Sequence, residues 1–457
     1  MEAVRTAVIL FTRDLRLHDQ PALAQAAREA EYVVPLFVLD DGILGADFAS
    51  PNRVGFLLES LADLDESLRG LGARLVARRG DIVAETAKLV RETGAEAVFL
   101  SQDSSAYARR RESRLEDVAP LRVSPGLTVV APDALAPVGG TYFQVFSPYF
   151  RAWQRAPFRK LEEPPGKLKL PDGIDSGALP ERRELVAGAR SSELMARGGE
   201  TAGRERMAQW LDDGLEGYGD RHSLDRRSTS RLSPYLHFGC ISPRELVERA
   251  GDRKGGPGYV RQICWRDFYQ ALLHANPETP REDLRPRGDH HLDDSETLAR
   301  WQEGMTGYPI VDAGMRQLAR EGWMHNRARL ITASFLAKHL YLDWRLGARH
   351  YSGLLLDGNV ASNTGNWQWV AGTGVDTRPY RVYNPTLQGR RHDPSGDYVR
   401  RYVPELAELG SAEIHEPWLL PEPARGALGY PERVVEHREA VARFRSARAE
   451  GQLELFD

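Results

Sequence analysis

Cysteine is nearly missing: Cys240 and Cys264 are the only two in 457 residues. That is too few for a disulfide framework or a thiolate metal site, and it suits a reducing cytoplasm. Long apolar runs are missing too. No stretch of about twenty such residues exists, so no membrane-spanning helix is expected. The N-terminus moves straight into the strand-like residues 7–11, without the apolar core of a signal peptide. Where that first strand ends stands FTRDLR, not G-x-G-x-x-G, which excludes a standard dinucleotide-binding turn. An excess of positive charge is lacking as well. The formal net charge of −4 argues mildly against a nonspecific nucleic-acid coat. His290-His291 is a poor metal-ligand pair, because no second cluster has suitable spacing and its acidic neighbours suggest an exposed loop. No metal is expected, and neither internal repeats nor low-complexity segments occur.

What is present is ordinary in bulk and organised in sequence. The chain is too long for one typical core and suits two domains or a little more. Its 41% hydrophobic and 28% charged content is that of a globular protein. Apolar runs at residues 7–11, 33–39, 74–77, 97–100 and 127–130 read as buried strands. Between them lie amphipathic stretches such as residues 54–71, with Phe56, Leu57, Leu61, Leu64, Leu68 and Leu71 at helical spacing. Strands alternating with helices predict a doubly wound, parallel, Rossmann-like α/β domain over residues 1–131. Prolines then crowd in, and residues 132–199 read as a connector laid over the surface, interrupted at 145–155 by a short docked helix. Residues 200–457 read as an all-helical domain.

The densest chemistry is the segment DGNVASNTGNWQW, residues 357–369, beside Gly372-Thr373-Gly374. Carboxamides both donate and accept, so they can read the edges of a neutral heteroaromatic ring system. Thr229-Ser230-Arg231-Leu232-Ser233 places three hydroxyls before a predicted helix, which suits phosphate oxygens or simple N-capping. Gln262, Trp265, Arg266 and Tyr269 follow i, i+3, i+4, i+7 and share one helix face, as do Asn326, Arg329 and Leu330. Arginines gather at 261 and 266, at 316, 327 and 329, and at 378, 381, 390, 391, 400 and 401. Singly each reads as a solvated residue; tied to the tryptophan-bearing motifs they read as a phosphate-contacting rim.

These pieces resemble a known family. FTRDLRL (11–17), TSRLS (229–233), WRDFY (265–269), TGYPIVD (306–312), GWMHNRAR (322–329), the 357–369 segment and YNPTLQG (383–389) stand in the order of the photolyase/cryptochrome flavoproteins. The resemblance is greatest to class I cyclobutane pyrimidine dimer (CPD) photolyases of actinobacterial type. It implies an N-terminal antenna domain, a helical domain that binds FAD and DNA, and light-driven repair of cyclobutane dimers by an electron from excited FADH−. It implies FAD contacts from Tyr218, Thr229, Ser230, Arg231, Leu232, Ser233, Tyr259, Arg266, Asn326, Arg329, Asp357, Asn359 and Asn363. Asp357 takes the cofactor's sugar or adenine side, and Asn363 the place beside flavin N5. Trp367, Trp344 and Trp301 match the family's tryptophan chain from flavin outward, although any single tryptophan is more often core packing. Trp265 and Trp369 match the two indoles that hold a flipped-out dimer. Gln262, Asn326, Leu330 and Tyr269 fall in that pocket, with Arg266, Arg327 and Gln388 toward flanking phosphate.

Three positions depart from the family pattern. Gln262 stands where glutamate is common, Asn359 where aspartate is usual, and Leu330 where methionine is common. They lend support to a non-repairing flavin photoreceptor. Asn363, the Trp265/Trp369 pair and the absence of a signalling tail favour repair, and the missing histidine pair disfavours a (6-4) photolyase. For the second chromophore, Tyr107-Ala108 replaces the asparagine–glutamate pair of folate-binding members. Residues 102–111 instead resemble members that bind an 8-hydroxy-5-deazaflavin, with Asp103 and Arg109 facing it; an exposed helix start is the alternative. The expected partner is DNA bearing cyclobutane dimers, with no protein partner, and the expected state is a monomer in the bacterial cytosol.

Overall fold

Apolar runs rich in β-branched residues pair side by side in the computed structural model, which describes residues 4–46, 49–186, 191–224 and 229–454. The strands are β1 (Val4–Phe11), β2 (Ala30–Asp40), β3 (Val76–Gly80), β4 (Ala97–Ser101) and β5 (Leu121–Ser124). All neighbours are parallel, in the order β3-β2-β1-β4-β5. Helices Pro21–Glu29, Pro51–Gly70, Ile82–Thr93 and Ala106–Glu116 connect them. Ala7 to Phe11 are wholly buried, as expected of a central strand covered on both faces. The order turns back at β1/β4, so the carboxyl ends of these two strands open a crevice.

Four of the five strands lie where the apolar runs predict them, with small shifts at the ends. The fifth does not. Residues 127–130 are buried but irregular, and β5 is the less apolar Leu121–Ser124. The reason is a carboxylate: Asp267 Oδ2 accepts from Val129 N at 2.9 Å, Val130 N at 3.1 Å and Trp153 Nε1 at 3.0 Å. The apolar run therefore has its amides satisfied by a side chain and needs no sheet partner. The short helix expected near 145–155 is present as Phe146–Arg155.

Two compact units result. The first comprises Met1–Ser191, Ala196–Glu216 and Ser230–Pro277, and the second Ser192–Met195, Gly217–Thr229 and Glu278–Asp457. Most of the described part of residues 132–199, and the helix Gly256–Ala275, fall in the same compact unit as the sheet. The FTRDLRL motif is a buried knot of the first unit. Asp14 accepts from Thr12 N, Gln20 Nε2 and Ser101 Oγ, while Arg16 donates to the carbonyls of His18, Asp19, Gly126 and Gly239. The second unit is helical, around a core that includes Trp301, Tyr308, Met315, Met324, Phe335, Trp344, Tyr351 and Trp367. Among the described residues no helix is long and apolar enough to cross a membrane.

Candidate active site

In the first unit the hydroxyl-rich segment forms a tight, tied turn. Arg231 sits at φ +57°, a conformation uncommon for any residue but glycine. Arg206 Nε holds the Ser230 carbonyl at 2.9 Å, and the Tyr259 hydroxyl donates to Ser230 Oγ at 3.0 Å. Burial, with Arg231 nearby, draws the Arg206 guanidinium below its usual value. Leu232 is fully buried, and the helix Ser233–Phe238 follows with Pro234 in its first turn. The turn sets serine hydroxyls and an arginine at a helix start, a set suited to phosphate oxygens. Thr229 and Tyr218 belong to the second unit, where Arg221 lies 5.6 Å over the Tyr218 ring.

The helix Gly256–Ala275 carries the predicted face. Trp265 stacks on Phe146 with ring centroids 3.7 Å apart and planes 6° from parallel. Phe146 is in turn covered by the Arg261 guanidinium at 4.8 Å. One face of the Trp265 indole is thereby backed and its orientation set. Gln262 is partly exposed on the same helix, whereas Tyr269 is buried 5.6 Å from Trp265 and belongs to packing rather than to a surface that meets DNA. Arg266 also departs from expectation. Its guanidinium donates to the carbonyls of Leu127 and Leu236, and its side chain is 14% exposed. Burial pushes it down to about 10. An arginine so committed ties main chain together and is not placed to meet phosphate.

The second unit contains a pocket lined by Asn326, Arg329, Leu330, Tyr351, Asp357, Asn363 and Trp367, among others. Arg329 Nη2 donates to Asp357 Oδ2 at 2.8 Å, while Asp357 Oδ1 is buried without a protein partner. Trp367 Nε1 is likewise buried and unpartnered. Asn363 Nδ2 donates to Ala348 O and Ser352 Oγ, both at 3.0 Å. Its donor end is thus used, and the amide oxygen is the end left to accept. A carboxylate oxygen, an amide oxygen and an indole N–H, all short of partners, fit a polar-edged ring system bearing hydroxyls. Asn359 caps the helix Val360–Ala371, its Oδ1 accepting from Ser362 N at 3.1 Å.

Comparison with known proteins agrees with this donor set. Residues 259–450 match the FAD binding domain of DNA photolyase, and residues 7–166 match the DNA photolyase domain. A deoxyribodipyrimidine photo-lyase of Streptomyces griseus is 50% identical, over 97% of this chain and 99% of its own. This chain belongs to the DNA photolyase family. Its fold is also that of solved members. A class III photolyase from Agrobacterium tumefaciens superposes with a TM-score of 0.90 at 32% identity, covering 99% of this chain and 98% of that one. A Synechocystis cryptochrome gives 0.89 at 28% identity, covering 98% and 100%.

Indoles cluster by the pocket, but not in the expected order. Trp301 is 0% exposed, so it is no surface station. It meets Trp367 directly at 6.2 Å and lies parallel to Tyr351 at 6.0 Å, and Tyr351 meets Trp367 at 4.9 Å. Trp344 belongs to the same buried core cluster as Trp367. Gly347, one turn after it, takes the Trp367 ring so closely that a Cβ there would stand 2.2 Å from Cη2. Trp369, on the second unit, lies under the Arg381 guanidinium at 5.5 Å. Arg327 Nη2 pairs with His222 Nδ1 at 3.0 Å, and Gln388 Oε1 is buried without a protein partner. Arg316 is held by Glu405 and Arg400 by the Leu409 carbonyl, so both serve the fold before any rim.

The two residues expected to face a second chromophore separate. Asp103, two residues past β4, is buried and pairs with Arg13, two residues past β1, at 2.7 Å. Arg109 is exposed on the helix Ala106–Glu116. Arg13 is therefore the partner that reading along 102–111 missed, since it comes from another strand end. Tyr107 donates to Asp40, and burial, helped by that carboxylate, raises the phenol above its usual range. Arg206, Phe146 and Tyr351 were also missed. Arg206 is an ordinary helix arginine and Tyr351 an ordinary core tyrosine until the fold supplies their neighbours. Phe146 had one signal, the aromatic density of residues 143–153.

Proposed function

We propose that the chain is a light-driven deoxyribodipyrimidine photo-lyase that binds FAD and repairs cyclobutane pyrimidine dimers in DNA. The observation that carries it is the pocket that brings together Asp357 Oδ1 and Trp367 Nε1, both buried without a protein partner, and Asn363, whose amide nitrogen is already engaged. FAD, reduced and excited, supplies the electron that opens the dimer's ring. Asn363 would accept at the flavin's central nitrogen edge, and Asp357, steadied by Arg329, would take hydroxyls. Ser230 and its tied turn take phosphate. Asn359 would face the flavin pyrimidine ring without adding charge there. Trp265 and Trp369 stack on the extruded bases, each contributing about 1–3 kcal/mol. Gln262 gives the pyrimidine edge a neutral donor and acceptor, and Leu330 packs against it. Arg327 and Gln388 meet the flanking strand. Trp344 and Trp367 return the cofactor to its reduced form under light, with Trp301 a buried side station rather than the exit.

The second chromophore, in this reading, is an 8-hydroxy-5-deazaflavin at the β1/β4 crevice, with Asp103 and Arg13 in place of Asp103 and Arg109. A cryptochrome-type photoreceptor is the second reading, favoured by the likeness to the Synechocystis protein and by the trio Gln262, Asn359 and Leu330. Repair of a dimer-bearing oligonucleotide by reduced protein under light, and none in the dark, is the expected result. Flavin photoreduction without repair would select the photoreceptor.

A further inference from the structure

Three buried indoles near the pocket differ in one respect that matters when an electron is withdrawn: what their N–H meets. Trp301 Nε1 donates to the Thr332 carbonyl at 3.0 Å, a group that does not take up protons. Trp367 Nε1 has no protein partner. Trp344 Nε1 donates to the Asp283 carboxylate at 2.8 Å. An indole that has lost an electron becomes acidic at its N–H, so a carboxylate in contact can take that proton, whereas an amide carbonyl cannot.

The surroundings of Trp344 push the same way. The Arg345 guanidinium lies 4.7 Å over its ring. A fixed positive charge at that distance opposes a second one on the indole, and loss of the proton removes the conflict. Arg345 also donates to Asp283 Oδ1 at 2.8 Å. It has other acceptors to keep, Asp343 Oδ1 at 3.1 Å and the Arg281 carbonyl at 2.7 Å. The Asp283 side chain is 17% exposed, enough to pass the proton on to water. Trp344 itself is 1% exposed and cannot do so directly.

We infer that Asp283 is the proton acceptor that traps the photo-oxidation hole on Trp344, so that the route ends there as a neutral indolyl radical. The inference rests on the electron route given under Proposed function. Trp344 gives one electron to Trp367 once that indole has itself been oxidised. The Nε1–H bond of Trp344 breaks, its proton forms an O–H bond on Asp283, and the pair of electrons stays on nitrogen. An external thiol then closes the cycle by giving a hydrogen atom to Nε1. Two thiyl radicals couple to a disulfide, and Asp283 releases its proton to water. Return of the electron to Trp344 would need the proton back, which lengthens the life of the reduced cofactor.

Flash excitation of the FAD-loaded protein, with the tryptophan radical followed by transient absorption, tests this. Wild type should show the cation radical converting to the neutral radical, with a solvent deuterium effect on that step. Asp283→Asn keeps an acceptor of equal size but no base. It should slow the conversion by about a hundredfold or more, the scale of a lost positioned base, so that the cation recombines instead. Asp283→Glu should restore the neutral radical. An unchanged conversion in Asp283→Asn, with FAD content and circular dichroism as in wild type, overturns the inference. If the asparagine variant does not fold, absence of a neutral Trp344 radical in wild type overturns it equally. Trp344→Phe separates the two layers: photoreduction surviving it intact would sink the electron route itself, and the inference with it.

Discussion

At residue scale, side chains of the same type do different work according to what holds their other end. Asn363 and Asn359 are both amides of one segment, yet the first spends its donor on Ala348 and Ser352 and the second its acceptor on Ser362. The identity of each is plain in DGNVASNTGNWQW; the direction each faces is not, because Ala348 and Ser352 come from another helix. Gln262 is the most informative single position. Gln262→Leu should weaken dimer binding by about 1–3 kcal/mol, since it leaves the pyrimidine's polar edge unpaired. Gln262→Glu should keep or raise repair and add a pH dependence, because only the protonated carboxyl reproduces the amide's donor. Quantum yields of the two variants measured across pH check both. Asn359→Asp should keep the helix cap while making bound flavin harder to reduce, an effect that redox titration reads directly.

At the scale of elements, the Phe146–Arg155 and Gly256–Ala275 helices act as one support. Trp265 lies flat on Phe146, and Asp267 clamps the main chain at Val129–Val130 and the Trp153 indole. Trp265→Ala should lower affinity for dimer-bearing DNA by roughly 1–3 kcal/mol with little change for undamaged duplex. Phe146→Leu should produce a smaller loss of the same selectivity, seen in the same binding titration, because it loosens the ring without removing it. Asp267→Ala should lower stability by on the order of 3–5 kcal/mol, as it strands three buried N–H donors, and denaturant unfolding measures it. The helix face Gln262–Tyr269 was legible from spacing alone. Its inward members were not: i, i+4 and i+7 fix a shared side, whereas Arg266 and Tyr269 turn into main-chain carbonyls and packing that come from distant segments. Residues 127–130 misled for a related reason. Their apolar character seals the Asp267 clamp, and an apolar run looks the same whether its amides meet a strand or a carboxylate.

At the scale of the whole molecule, the ordered motifs made family, parallel sheet and helical second half legible, since each motif is local and their order survives folding. What depends on several elements meeting did not come through. Trp301 carries a fitting motif yet lies at zero exposure, and Arg13 meets Asp103 across two strand ends. The second unit should also be acid-sensitive. Burial is the first cause that lowers His222, His350 and His392 to about 4 each, with Arg327 adding to it for His222 and His392. These rings stay neutral when folded, whereas the unfolded chain takes up protons near the ordinary 6.5. Their share of stability is therefore full above about 6.5 and is lost as pH falls toward 4. His350→Gln should make the denaturation midpoint fall less between pH 7 and pH 5 than in wild type.

Whether this pocket repairs cyclobutane dimers is decided by one paired illumination. Chemically reduced, FAD-loaded protein is given a CPD oligonucleotide and a (6-4) oligonucleotide in separate reactions, and restored bases are quantified against absorbed photons. Light-dependent restoration of the CPD substrate is expected, with a marked loss in Gln262→Leu and no restoration of the (6-4) lesion. Failure to restore the CPD substrate by protein that holds reduced FAD, with Gln262→Leu binding damaged DNA no differently from wild type, would contradict repair at this pocket.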